Sequence, residues 1–165
     1  MKKHLYFICP TDYLETVING TFKQENYYIT SLGNSITFDR KTVAAISKLV
    51  EKKNITEITF VLSDNNPIVM DGLNDQDFAN VWGLGHFYRK ITKLEVRAEL
   101  LWQTGHLAVP VLAYYLGKRI EDLRAKLGRG RIDRLAINAK VFYSQRNVFR
   151  EPRYDLFYRE SFKLN

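Results

Sequence analysis

The sequence predicts a three-layer α/β protein, with a mostly parallel central sheet of about four to five strands flanked by helices. Three observations predict it. Strand-length apolar runs stand at 4–9 (HLYFIC) and 57–62 (EITFVL). An aromatic and β-branched run at 27–32 leads into a stretch of helical periodicity at 40–53. The strand–helix–strand succession that results is a βαβ unit, whose crossover makes its two strands parallel.

Each element has a local reason. The run at 4–9 is closed by Pro10, which cannot donate to a ladder, so the first strand ends there. TDYLETVIN then offers Thr11 or Asp12 as the cap of a short helix, with Gly20 as its stop. YYITSL at 27–32 is a second strand, broken by Gly33-Asn34. Asp39 caps RKTVAAISKLVEKK, in which Val43, Ile46 and Val50 share a face and Lys52-Lys53 suit the negative end of the helix dipole. Asn54 suits the left-handed turn that ends such a helix, and the strand at 57–62 follows.

Beyond Pro67 the expected order loosens. Residues 71–90 are expected to be loop-rich with one helical turn. Residues 92–104 and 107–116 are expected as helices separated by Gly105, with Pro110 near the start of the second, where it is tolerated. KRIEDLRAKL is expected as a further helix stopped by Gly128. Residues 134–143 alternate as a strand, expected at the sheet edge.

The 165 residues show no repeat, linker or low-complexity stretch, so a single domain over 1–165 is expected. Cys9 is the only cysteine, which excludes an intramolecular disulfide and suits a reducing compartment. The apolar run after Lys2-Lys3 is five residues, too short for a signal sequence or a membrane span. A soluble, cytoplasmic protein with no membrane partner is the expectation. The formal charge of +7 is concentrated at one end: residues 117–165 hold 13 Lys/Arg against 6 Asp/Glu, whereas the first 116 residues balance.

In a doubly wound sheet, ligands gather beyond the carboxyl ends of the strands. The candidates there are Cys9-Pro10-Thr11-Asp12-Tyr13, Ser31-Leu32-Gly33-Asn34 and Ser63-Asp64-Asn65-Asn66. In order and interval these segments resemble the β-class carbonic anhydrases. That family has Cys-x-Asp-x-Arg after its first strand, Asn-Ala-Gly-Asn after its second, and His-x-x-Cys after its third. The resemblance covers about residues 4–72, and NAKVFYSQRN is similar to the family's last long strand.

Carried over, the resemblance puts Cys9 on the first zinc cysteine, Ser63 on the zinc histidine and Asn66 on the second zinc cysteine. Thr11 and Tyr13 fall on the aspartate and arginine of the family's Asp–Arg pair, and Gly33-Asn34 retain the end of the second motif. A catalytic zinc needs about three thiolate, imidazole or carboxylate ligands and an open position for water. Hydroxyl and amide oxygens replace them poorly. The expectation is therefore a metal-free, non-catalytic protein of carbonic-anhydrase-like fold that uses no cofactor. Its vestigial pocket would comprise Cys9, Thr11, Asp12, Tyr13, Gly33, Asn34, Ser63, Asp64 and Asn66, and a small polar ligand is a possible occupant. A rebuilt metal site from Cys9, Asp64 and His86 is the enzymatic alternative.

Residues 141–165 hold seven aromatics interleaved with arginines. With the turn LGRGRIDR they offer a basic, aromatic surface of Arg129, Arg131, Arg146, Arg150, Arg153, Tyr154 and Tyr158. The family is built of intimate dimers, so the resemblance implies a homodimer interface for this surface. Packing over the sheet and nucleic-acid binding are the alternatives.

Overall fold

A computed structural model describes residues 1–102, 108–128 and 135–152, and only the backbone of 95–102. Its strands are β1 (Lys3–Ile8), β2 (Glu25–Thr30), β3 (Glu57–Ser63), β4 (Ala136–Tyr143) and β5 (Val148–Arg150). Its helices are α1 (Leu14–Thr21), α2 (Arg40–Lys53), α3 (Pro67–Leu73), α4 (Leu84–Trp102) and α5 (Ala108–Leu127).

The sheet has five strands in the order β2-β1-β3-β4-β5. The first four are mutually parallel, and β5 pairs antiparallel with β4. β1 and β3 lie between two parallel neighbours and are buried on both faces, which is why both read as continuous apolar runs. One face carries the larger core. Leu5, Phe7 and Cys9 of the first strand region meet Ile58, Phe60 and Leu62 of β3, under α2 to α5. On the other face Tyr6, Ile8, Val61 and Phe142 pack against Leu14 and Ile18 of α1.

The local signals at α2 hold: the Asp39 carboxylate accepts from Thr42 N at 2.8 Å, and Asn54 ends the helix at φ 53°. Four expectations are corrected. Helix α1 runs through Gly20 to Thr21, and the residue that precedes it is Tyr13 in a left-handed conformation (φ 53°). Thr11 and Asp12 instead belong to a 3-10 turn, Pro10–Asp12. The stretch expected to be loop-rich contains the end of α3 and the start of α4, because the Asn66 side chain caps α3 and the apolar face of α4 (Leu84, Phe87, Tyr88, Ile91) is buried. The two helices expected around 107–127 are one, α5, whose stripe of Val111, Leu112, Tyr115, Leu116, Ile120, Leu123 and Leu127 runs past Gly117 without interruption. Strand β4 is interior, because the three-residue β5 folds back on it and takes the edge.

Candidate functional site

Because β1, β2 and β3 are parallel, their carboxyl ends lie on one side of the sheet, and the three turns that follow them meet there. The first turn is tight: Asp12 N donates to Cys9 O at 3.1 Å. This carries the Asp12 carboxylate to the end of β3, where Oδ2 accepts from Ser63 N at 2.9 Å. Its Oδ1 accepts from Asn66 Nδ2 at 2.8 Å. The amide oxygen of Asn66 accepts from Val69 N at 2.9 Å and so caps α3, ahead of Pro67. Ser63 donates its hydroxyl to Asn65 Oδ1 at 2.5 Å.

Cys9 is buried against the second turn. Gly33 N donates to its sulfur at 3.1 Å, and Thr11 Oγ1 lies 3.0 Å from the same atom. Gly33 and Asn34 are both left-handed, at φ 57° and 55°. A Cβ on Gly33 would lie 2.8 Å from Cζ of the buried Phe87 ring, so the position requires glycine on two counts. Asn34 spans the core: its Nδ2 donates to Val61 O at 2.9 Å, and its own carbonyl accepts from Tyr115 OH at 3.1 Å. Its Oδ1 is buried without a partner.

Burial raises the Asp12 carboxyl above its ordinary value; the bonds from Ser63 and Asn66 pull it down, and the Asp64 charge adds to the rise. Burial also raises the Tyr115 phenol.

Six of the nine residues expected at the pocket are therefore joined by hydrogen bonds across the strand ends: Cys9, Thr11 and Gly33 in one group, Asp12, Ser63 and Asn66 in the other. Asn34 lies beneath them, tied to β3. Asp64 is turned away, with Oδ1 accepting from Ser144 N at 3.1 Å and Ser144 Oγ at 3.0 Å, which pins the end of β4. Tyr13 is 80% exposed.

These donors do not fit zinc. The Asn66 amide is committed to α3 and Asp12, the Ser63 hydroxyl to Asn65, and Cys9 is the only thiol. Among the described residues no group of three or more His, Cys, Asp or Glu side chains is placed to hold a metal ion. The Cys9, Asp64 and His86 alternative is accordingly not assembled: Asp64 faces Ser144, and His86 lines a cleft beside α5. Of the basic, aromatic surface, Arg146 is exposed on the β4–β5 turn and Arg150 at the end of β5, and the Arg150 guanidinium lies 5.9 Å from the Tyr143 ring. Arg129, Arg131, Arg153, Tyr154 and Tyr158 lie outside the described residues.

The sequence reading missed a second polar feature. Arg119 falls on the buried stripe of α5, one turn from Tyr115 and Leu123, and is 5% exposed. A cation at i, i+4 spacing among core positions was the signal that marked it.

No protein-family model matches the chain, and no curated protein matches it in sequence. Solved structures do match. A tetrameric β-carbonic anhydrase of Sordaria macrospora superposes with a TM-score of 0.70 at 13% identity, over 91% of this chain and 80% of that one. A β-carbonic anhydrase of Aspergillus fumigatus gives 0.68 at 13% identity, over 99% and 83%. The Coccomyxa β-carbonic anhydrase gives 0.69 at 15% identity, over 98% and 83%. With the strand order, the crossover and the placement of the three turns, this similarity shows that the chain has the fold of the β-carbonic anhydrases.

Proposed function

We propose that this chain is a non-catalytic protein built on the β-carbonic anhydrase fold, which acts by binding rather than by metal chemistry. One observation carries the reading: the Asp12 carboxylate bridges Ser63 N and Asn66 Nδ2, the residues that the resemblance puts on two zinc ligands. A carboxylate bonded to an amide and a main-chain nitrogen satisfies polar groups that a metal would otherwise organise. In this reading the strand-end side chains hold no metal that would lower the pKa of a bound water towards ~7, so the site offers carbon dioxide no hydroxide nucleophile.

The working unit in this reading is a homodimer in the cytoplasm. The tetrameric assembly of the Sordaria protein and the exposed Phe78, Val81 and Trp82, the last 98% exposed, support an oligomer. No helix among the described residues is long and apolar enough to cross a membrane.

The test is elemental mass spectrometry of the untagged protein, with stopped-flow carbon dioxide hydration in parallel. Far less than one zinc per chain and no hydration above buffer are expected. One zinc per chain retained through dialysis, with hydration abolished by Cys9→Ser, would overturn the proposal.

A further inference from the structure

Arg119 is a cation held in the interior with too few acceptors. Its guanidinium lies 4.2 Å from the Phe38 ring and donates through NH2 to Ile36 O. The Asp122 carboxylate stands 3.7 Å from NH1, beyond hydrogen-bond distance, and Nε is buried with no partner among the described residues. A guanidinium has five N–H donors, and a buried cation left short of acceptors is expensive. Burial accordingly pulls the Arg119 pKa down.

This side chain lines two neighbouring clefts. One, of about 460 Å³, lies between residues 35–39, α4 and α5, and includes Phe38, Phe87, Lys90, Arg119 and Lys126. The other, of about 550 Å³, shares Lys90 and Arg119 and adds Lys93 and Lys118. The acids in them are already engaged. Asp39 caps α2, and Asp122 lies between Arg119 and Lys90, 3.8 Å from Lys90 Nζ. Among the described residues that line them, cations outnumber acids in both clefts. Either volume falls within the range of about 300–1,000 Å³ typical of small-ligand pockets.

We infer that this cleft binds the phosphate group of a small molecule, with Arg119 at the floor and Lys90 and Lys126 at the rim. A phosphate supplies the acceptors that the guanidinium lacks, in the fork geometry that arginine recognises. The apolar wall of Phe38 and Phe87 receives the body of a phosphate ester. The cleft backs onto the second strand-end turn through Phe87 and Tyr115, but none of the nine strand-end residues lines it, and the assignment does not depend on whether they hold a metal.

Isothermal titration of the full chain with inorganic phosphate and with phenyl phosphate, at constant ionic strength, tests the assignment. Saturable binding is expected, weakened about tenfold or more in Lys90→Ala/Lys126→Ala and unchanged in Arg146→Ala. Tighter binding of phenyl phosphate would identify an ester as the ligand, and equal binding would identify free phosphate; both support the site. Arg119→Lys keeps the charge but removes the fork, and a loss of at least tenfold is expected. If that variant fails to fold, the lysine pair at the rim decides. No saturable binding, or loss in Arg146→Ala equal to that in the lysine pair, would overturn the inference. So would affinity confined to oligonucleotides and falling steeply with salt, which would assign the basic surface to nucleic acid.

Discussion

Asp12 and Asn66, 54 positions apart in sequence, are joined by a hydrogen bond of 2.8 Å that ties the turn after β1 to the cap of α3. With the bond to Ser63 N, the Asp12 carboxylate fixes two strand ends and the first turn of a helix. Asp12→Ala leaves the fully buried Asn66 amide and a main-chain N–H without their acceptor. A loss of about 2–4 kcal/mol is expected, read from urea unfolding. A change under about 0.5 kcal/mol, the level of an ordinary surface substitution, would show that water replaces the carboxylate.

Asn66→Asp keeps an oxygen to cap α3 but sets a second carboxylate against Asp12. Two carboxylates so placed repel when both are ionised. The variant is expected to lose more stability at pH 7 than at pH 4, where one of them holds a proton. Equal losses at both pH values would mean that the pair is well solvated.

His4 contributes to the acid sensitivity of the wild-type chain. It is 4% exposed, with Nε2 2.7 Å from Thr59 Oγ1, and burial lowers its pKa from 6.5 to about 4, against the opposing pull of Glu57. Lys140 and Lys2 lower it further. The unfolded chain takes up this proton near 6.5 and the folded chain only near 4, so the unfolded state binds more protons between those values. The His4 contribution is therefore present above pH 6.5 and lost as pH falls towards 4, by up to about 3 kcal/mol. Asp12 works the other way: its raised pKa contributes stability at acid pH that is lost as pH rises through it. His4→Gln should flatten the decline in unfolding free energy between pH 6.5 and 4.5; an unchanged slope would exonerate His4.

Gly33→Ala combines a left-handed backbone with a Cβ 2.8 Å from Phe87 Cζ. A loss of about 2 kcal/mol or more is expected. Phe87→Leu should recover part of it in a double-mutant cycle, and the coupling distinguishes the clash from backbone strain alone.

Tyr13 holds the other costly turn, an aromatic residue at φ 53° with its ring 80% exposed. Tyr13→Gly should raise stability by about 1 kcal/mol. If stability falls instead, the ring makes contacts that outweigh its backbone conformation.

The parts of this molecule that could be read from sequence are those whose signals are local. The boundaries of α2 follow from Asp39 and Asn54 alone, and β1 and β3 announce themselves because burial on both faces makes their runs apolar throughout. The parallel sheet followed from these. What could not be read depends on partners distant in the chain. Asn66 looks like a turn residue until α3 is seen to need its cap. β4 alternates like an edge strand because β5, only three residues long, is too brief to register. The strand-end residues were identified as a group, but nothing local indicated that the Asp12 carboxylate would close onto Asn66, or that Asp64 would turn to Ser144 and Tyr13 to solvent. Arg119 is legible in principle, as a charge in an apolar stripe, but the stripe alone does not distinguish a buried guanidinium from one whose long side chain reaches solvent.

The two rims of the sheet are finished differently. β5 offers only three residues, and Pro152 follows it two positions later with no N–H to donate. β2 offers six residues and, among the described strands, pairs only with β1. Short length and proline are the devices by which strands resist adding a stranger's backbone. Should the protein self-associate under stress by strand addition, growth is directed to the β2 side, and a charge placed at Thr30, the exposed residue of that strand, is where solubility would be gained.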